Sequence, residues 1–407
     1  MSSKSPNILY ITREIERALA QEPVDNYFIL TNKTPYSITI KEKYPDNVHI
    51  VESPSLLDTY ELLTLPETAA LVPKHNAHVL VFKNTIHIEE FCKNKNWKLL
   101  NPSAELSDIV ENKISQVKWL GELSSLLPPH SITFTKDVMW QKKPFILQWS
   151  HGHTGEGTVL IRNAEELKFL QDKFPHREAR ISDFIKGPMF TMNIVVSGSD
   201  AVLGNLSYQI TGMLPFTENV FSTIGNDWAL PHTILTEAQL GKIDAIAHKI
   251  AEKMRISGWK GLFGIDVILD EERDEIHLIE INARQPASTT YESHLQKKIG
   301  LEGNTIFEIH IDALLNNAGE MKIIPINDGA QIVQRVTSTS KDLEDKKLIE
   351  AGYEVIKYPN FKPNLDFIRI RSSRGIMETH NKLNSRGKEI LNLLYNLEPD
   401  LEPEKSS

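Results

Sequence analysis

The chain has one cysteine, Cys92, in 407 residues. That excludes an intramolecular disulfide and any metal site built on paired cysteines. Cys92 follows an amphipathic stretch containing Ile88 and Phe91, so a buried, inert thiol is expected rather than a nucleophile. Long hydrophobic runs are also missing: nowhere do about 18 apolar residues follow one another, as a bilayer span requires. Met1 to Pro6 is polar and lacks the apolar stretch of a secretory signal. The cytoplasm is the expected location, with no membrane partner. Positive charge is in deficit, with a net charge of −9, which argues against a nucleic-acid-binding surface. An anionic substrate stays open, because a phosphate site needs only a few placed cations. No Gly-x-Gly-x-x-Gly fingerprint accompanies the first strands, so dinucleotide binding gains no support. Internal repeats and low-complexity tracts are absent.

What the first hundred residues do contain is strand-length apolar runs separated by helical patterns. Asn7 to Ile11, Asn26 to Leu30, Val48 to Val51 and His78 to Phe82 read as strands, with a helical pattern through Glu14, Ala18 and Leu19. This alternation predicts a parallel sheet covered on both faces. From Asn101 the texture changes. A helix is expected over Leu106 to Leu126, carrying Lys113, Lys118 and Trp119 and ended by Pro128 and Pro129. Strand Phe145 to Trp149, a Gly-rich loop from His151 to Gly157 and strand Thr158 to Ile161 make a hairpin. Ala179 to Ile185, Thr191 to Ser197 and Ala201 to Gln209 read as antiparallel strands. Glu237 to Met254 is a helix with apolar positions at Leu240, Ile243, Ile246, Ala247 and Ile250. Strands Gly264 to Leu269 and Glu275 to Ile281 follow, then a helix over Thr305 to Asn316. The remainder mixes strands Gln331 to Val336, Tyr353 to Lys357 and Asp366 to Ile370 with a closing helix. An acidic tail from Glu398 is expected to be disordered.

Three features carry chemistry. In Gly264-Ile-Asp-Val-Ile-Leu269 and Glu280-Ile-Asn-Ala-Arg284, strand alternation puts Glu280 and Asn282 on one face. If the two strands pair, Asp266 joins them. Two carboxylates and an amide among apolar residues are costly unless a cation satisfies them. A hard oxygen-seeking ion such as Mg²⁺, completed by phosphate and water, suits this set, and a surface hairpin with Arg284 as the counter-ion suits it equally. Second, Gly152, Gly155 and Gly157 let backbone N–H groups close over a phosphate, although for a lone Gly-rich loop a plain flexible hairpin is the favoured reading. His151 and His153 lack a third ligand at metal spacing and are read as polar loop residues. Third is Lys113, which alone would be a solvated helix charge.

Their order is similar to that of the ATP-grasp superfamily, which includes biotin carboxylase, carbamoyl-phosphate synthase and D-alanine–D-alanine ligase. The resemblance runs from about Asn101 to Asn316. Glu280-Ile-Asn-Ala-Arg284 is similar to that family's Glu-x-Asn-x-Arg motif, with Asp266 at the first metal carboxylate. Lys113 resembles the first nucleotide lysine, and Ser182, Asp183, Phe184 and Ile185 resemble the hinge that grips adenine. The resemblance implies an α/β and α+β fold in three parts. These are an N-terminal pre-ATP-grasp α/β domain (1–104), a two-lobed ATP-grasp domain (105–325, a nucleotide flap lobe of about 105–185 and a metal lobe of about 186–325) and a small C-terminal α+β domain (326–407).

It further implies ATP with Mg²⁺ or Mn²⁺, carboxylate and amine substrates, an acylphosphate route releasing ADP and phosphate, and a homodimer as an oligomer the family allows. Lys113 and Arg284 would be catalytic. Lys113, Gln148, Gly152, Gly155, Gly157 and Ser182 to Ile185 would hold nucleotide, and Asp266, Glu280 and Asn282 the metal. An amino acid or small peptide is the first expectation for substrate, with bicarbonate activation or an inactive ATP-binding subunit as alternatives. One departure stands out. Gln148 occupies the place of a second phosphate lysine, bringing an amide where a charge is usual, with Lys142 or Lys143 as candidates to compensate. The polar, aromatic loop Thr217 to Trp228 is a candidate acceptor-pocket lining or simply a structural loop. Arg335, Arg369, Arg371 and Arg374 are expected on a solvated face of a small capping domain, with substrate charge contacts at the active site as the alternative.

Overall fold

A computed structural model describes residues 6–150, 157–198, 200–317, 321–340, 343 and 345–397. The expected flap residues His151, Gly152, His153 and Gly155, and the acidic tail from Glu398, lie outside the described residues. Contacts divide the chain into two compact units. The first holds residues 1–187, 191–205 and 236–325, and the second residues 188–190, 206–235 and 326–407.

Strands β1 (Asn7–Thr12), β2 (Tyr27–Asn32), β3 (Val48–Val51) and β4 (Ala77–Val81) form a parallel sheet in the order β3-β2-β1-β4. β1 is buried almost throughout, as a parallel strand covered on both faces must be. The helical pattern after β1 closes only one short 3₁₀ turn, Ile15–Ala18. Helices α1 (Pro35–Lys43), α2 (Thr59–Thr64), α3 (Pro66–His75) and α4 (Ile86–Asn94) supply the covers. Cys92 is 1% exposed on α4, and burial pushes its thiol up to about 11, as an inert core cysteine requires.

The single helix expected over 106–126 is instead α5 (Ala104–Glu111), α6 (Ser115–Leu120) and a 3₁₀ turn, Gly121–Leu126. Asn112 causes the break. Its backbone is extended, and its Oδ1 accepts from the N–H groups of Ile114 and Ser115 at 2.9 and 3.3 Å. An asparagine that caps the next turn with its side chain competes with helix continuation. Lys113 therefore sits in a corner, not on a helix face.

An antiparallel sheet follows, order β5-β8-β6-β7, from β5 (His130–Phe134), β6 (Phe145–Trp149), β7 (Thr158–Ile161) and, after α7 (Ala164–Lys173), β8 (Glu178–Asp183). Phe145, Leu147, Ile161, Leu167, Ala179 and Ile181 fill its core against α7. The strand expected over 201–209 is two strands. β9 (Met189–Ser197) pairs with β10 (Asp200–Leu203), and β11 (Ser207–Thr211) belongs to the second unit. Gly204, whose added Cβ would lie 2.6 Å from the Asn193 carbonyl oxygen, sits in the interruption.

In the second unit β12 (Thr223–Asp227) lies inside the stretch expected as a loop, and Trp228 after it is fully buried. Helix α8 (Pro231–Ile234) follows. The first unit resumes with α9 (Glu237–Ile256), opened by a Thr236/Gln239 capping box, then β13 (Gly261–Asp270), β14 (Glu275–Asn282), α10 (Thr289–Ile299) and α11 (Ile306–Leu315). β13 lies between β14 and β9, and all of its residues are buried. Phe307 on α11 meets Tyr10 and Tyr27 of the N-terminal sheet, with ring centroids 6.5 and 6.3 Å apart. These three rings anchor one continuous core.

The second unit continues with β15 (Ala330–Arg335), α12 (Lys346–Glu350), β16 (Glu354–Lys357), β17 (Asp366–Ser372), the ribbon β18 (Met377–Thr379) and β19 (Lys382–Leu383), and α13 (Ser385–Tyr395). Its sheet runs β11-β12-β15-β17-β16, so β17 is interior and not an edge. This corrects the solvated-face expectation: Arg369 and Arg371 are 6% and 3% exposed. Arg369 bonds to Tyr358, Gln331 and Asp366, and Arg371 to Glu354. Arg335 pairs with Asp366. Only Arg374 is exposed. No helix among the described residues is long and apolar enough to cross a membrane.

The second unit is locked by Asp227, fully buried. Its carboxylate accepts from the backbone N–H groups of Ala229, Leu230, Ile376 and Met377 at 2.6–3.0 Å. Burial raises its carboxyl more than these donors lower it. Asp227→Ala orphans all of these buried donors and should cost on the order of 4 kcal/mol, read as a lower denaturant midpoint for the second unit.

Candidate functional site

The site grows from the β13–β14 ladder. Asp266 stands directly opposite Glu280, and Gly264 opposite Asn282, with a bulge after Asp266. Residues two apart share a face, so Asp266, Glu280 and Asn282 are brought together as strand alternation requires. Asn282 Nδ2 donates to Asp266 Oδ2 at 3.2 Å, and Thr191 Oγ1 on β9 donates to Oδ1 at 2.7 Å. Asp266 is 5% exposed. Burial first, then the neighbouring Glu280 charge, push its carboxyl upward. Glu280 keeps 38% side-chain exposure. Burial raises its carboxyl, but Lys113, Arg284 and Arg180 together outweigh that and hold it below the ordinary value. Two facing carboxylates are tolerated only because cations converge on them.

Lys113 is one of these cations. Its Nζ lies 2.8 Å from Glu280 Oε1, and its N–H reaches the Ser150 carbonyl at 3.4 Å. The corner made by Asn112 thus delivers the lysine to the carboxylate pair. Arg284 acts on Glu280 through its charge, while its own ion pair is made elsewhere. It pairs with Glu111 at the end of α5, which also pairs with Lys83 at 2.5 Å. The next residue, Gln285, accepts from the Tyr10 hydroxyl at 2.6 Å and donates to the Arg17 carbonyl at 2.8 Å. The N-terminal sheet therefore fixes the segment that presents Arg284.

Gln148 on β6 is 7% exposed. Its Nε2 donates to Thr158 Oγ1 at 3.1 Å, while its Oε1 accepts from Arg180. Lys143, a candidate to compensate for Gln148, instead pairs with Asp183 at 2.9 Å. Gly157 ends the described gap, its carbonyl accepting from the Trp149 N–H at 3.0 Å. Ser182 and Asp183 close β8, Phe184 is half-buried and Ile185 buried. Gly187 follows, where an added Cβ would lie 1.9 Å from the Leu269 carbonyl oxygen, so only glycine lets this connection lie against β13.

Thr191, Glu111, Arg180 and Glu292 belong to the site's framework without standing out in the sequence pattern. Arg180 and Ser182 alternate on β8, and that period of two is a usable signal. Glu111 and Glu292 act through contacts distant in sequence and leave none. Glu292, on α10, is fully buried. It accepts from Asn193 Nδ2 at 2.6 Å and from the Asn205 N–H at 2.7 Å, bracing β9 two residues from Thr191.

Residues 110–288 match the ATP-grasp domain family, and this part of the chain is an ATP-grasp domain. The fold of the chain as a whole is shared with solved structures. It is similar to N5-carboxyaminoimidazole synthetase from Staphylococcus aureus complexed with ADP (TM-score 0.67, 11% identity, covering 97% of this chain and 98% of that one). It is also similar to N5-carboxyaminoimidazole synthase from Aspergillus clavatus in complex with ADP and 5-aminoimidazole ribonucleotide (TM-score 0.66, 14% identity, 97% and 99%). Biotin carboxylase from Campylobacter jejuni matches with TM-score 0.61 and 14% identity over 91% of this chain and 88% of that one. No curated protein matches.

Glu292 makes the bracing pH-dependent. Burial pushes its carboxyl from 4.5 up to about 7 against the pull of its amide donors. An acid raised in the fold contributes stability in full below its unfolded value and loses it as pH rises through the folded one. Relative to Glu292→Gln, the wild type should therefore lose stability between pH 4.5 and about 7, by on the order of 3 kcal/mol. Urea midpoints of both proteins across that window measure it.

Proposed function

We propose that this protein is an ATP-dependent carboxylate–amine ligase that activates its substrate as an acylphosphate and releases ADP and phosphate. The observation that carries the reading is the facing Asp266/Glu280 pair with Asn282 beside it and a lysine ammonium 2.8 Å from Glu280. That ammonium marks where positive charge is wanted. Among the described residues no cluster of three or more His, Cys, Asp or Glu could enclose a metal. Two carboxylates and an amide oxygen suit Mg²⁺ or Mn²⁺ whose other ligands come from phosphate and water. When bound, the ion neutralises charge on the transferring phosphate.

Each residue then has a defined task. Asp266, Glu280 and Asn282 would hold the ion, and Thr191 keeps Asp266 in place. Lys113 would draw the nucleotide phosphates toward the carboxylate pair. The backbone of Ser182 to Ile185 would receive adenine, and Gly152, Gly155 and Gly157 would close over the phosphates and exclude water from the activated acyl group. Arg284, kept in place by Glu111, would present a fork to an anionic substrate. The three-part division at 104 and 325 is part of this proposal, as are a homodimer and a cytoplasmic location.

For the substrate, an amino acid or small peptide is the first reading. A second is favoured by the likeness over nearly the whole chain to N5-carboxyaminoimidazole synthetases: bicarbonate as the carboxylate and a small amine as its acceptor. ADP release from Mg-ATP with pools of amino acids, dipeptides and bicarbonate separates them. Acceptor-dependent ADP without bicarbonate, giving a product one water lighter than its two substrates, supports the first, and ADP that requires bicarbonate supports the second. ATP binding without turnover in any pool supports an inactive ATP-binding subunit. Glu280→Gln should lower ADP formation by about a hundredfold or more, and near-normal turnover would remove the metal role of Glu280.

A further inference from the structure

Arg180 is the most buried cation near the site, at 3% exposure on β8. A guanidinium keeps its charge under nearly all conditions, so burying one without a negative partner costs several kcal/mol. Among the described residues no carboxylate forms a salt bridge with it. Its bonded partners are neutral: Gln148 Oε1 at 3.2 and 2.7 Å, and Gln116 Oε1 at 3.1 Å. Burial pulls the guanidinium down to about 10, and the field of Glu280 raises it only in part. Arg180 is also felt by Glu280 in return, after Lys113 and Arg284. It therefore lies within electrostatic reach of Glu280 without forming an ion pair with it.

The amides around it are arranged to aim it. Gln148 stands directly opposite Arg180 across the β6–β8 ladder and opposite Thr158 across β6–β7. With Nε2 committed to Thr158, the Gln148 oxygen is turned to the guanidinium. Gln116, fully buried, donates to the Val110 carbonyl at 2.8 Å, which turns its own oxygen to Arg180 as well. Gln116, on α6, lies three residues beyond Lys113. The same frame thus holds two cations, one already beside Glu280 and one waiting for an anion.

We infer that Arg180 is a phosphate-binding residue of the nucleotide site, and that Gln148 positions it rather than touching the phosphates itself. The inference rests on the ATP reading above and adds to it the residue that supplies the charge Gln148 lacks. Its ligand class is a polyphosphate oxygen, taken by charge-assisted hydrogen bonds.

Calorimetric titrations with ATP, ADP, adenosine and inorganic tripolyphosphate test it on wild type, Arg180→Gln, Arg180→Lys and the double variant Arg180→Gln/Gln148→Lys. Arg180→Gln should weaken ATP, ADP and tripolyphosphate by about 10- to 100-fold and leave adenosine within about twofold, as the bonds lost are to phosphate alone. The double variant returns a cation to the opposing strand position and should recover phosphate affinity. Equal weakening of adenosine and ATP, or no weakening of ATP, overturns the inference and leaves Arg180 a structural tie. If Arg180→Gln does not fold by circular dichroism, the double variant and Arg180→Lys decide: ATP affinity in both no better than adenosine affinity overturns it. Wild type that fails to bind ATP overturns the ligase reading instead. In that case tripolyphosphate binding lost in Arg180→Gln still sustains Arg180 as an anion site, and its absence from wild type overturns that too.

Discussion

Everything at the site follows from the repulsion between Asp266 and Glu280. Strand pairing sets them face to face across β13 and β14, and β13 is buried along its whole length. At that depth two negative charges in contact are worth several kcal/mol of destabilisation. The fold answers by bringing positive charge from separate parts of the chain: Lys113 from the corner after α5, Arg284 from just beyond β14 and Arg180 from β8. The carboxylate pair is thus the reason these segments converge.

Convergence alone would not give a defined geometry, and polar bracing supplies it. Thr191 and Asn282 fix Asp266, Glu292 holds β9 through Asn193, and Glu111 holds Arg284 while being held by Lys83. None of these partners except Asn282 belongs to the β13–β14 hairpin. The hairpin supplies the carboxylate pair, and long-range contacts supply its orientation.

Local periodicity makes much of this legible. The four strands of the N-terminal sheet, the β6–β7 hairpin, α9 and the β13–β14 pair lie within a few residues of the expected positions. The shared face of Asp266, Glu280 and Asn282 follows from alternation alone. The failures have local causes. The helix expected around Lys113 breaks because the Asn112 side chain replaces a backbone acceptor. Alternation along β17 reads as amphipathicity and predicts arginines in solvent. The order of strands instead makes β17 interior, and Tyr358, Gln331, Asp366 and Glu354 satisfy the charges. Pairings such as Glu111 with Arg284 join distant parts of the chain and have no signature in a local window.

The Tyr10 hydroxyl bound to Gln285 has a consequence for how such a sequence can be inherited. The first strand of the chain and the residue beside Arg284 are separated by more than half the gene, yet one bond and one aromatic cluster with Phe307 join them. A recombination event that exchanged the leading hundred residues for those of a distant relative would place an unfamiliar side chain beneath Gln285 and a mismatched ring against α11. The two stretches have to travel together, so diversification of this protein proceeds by compensated point changes more readily than by shuffling its front end.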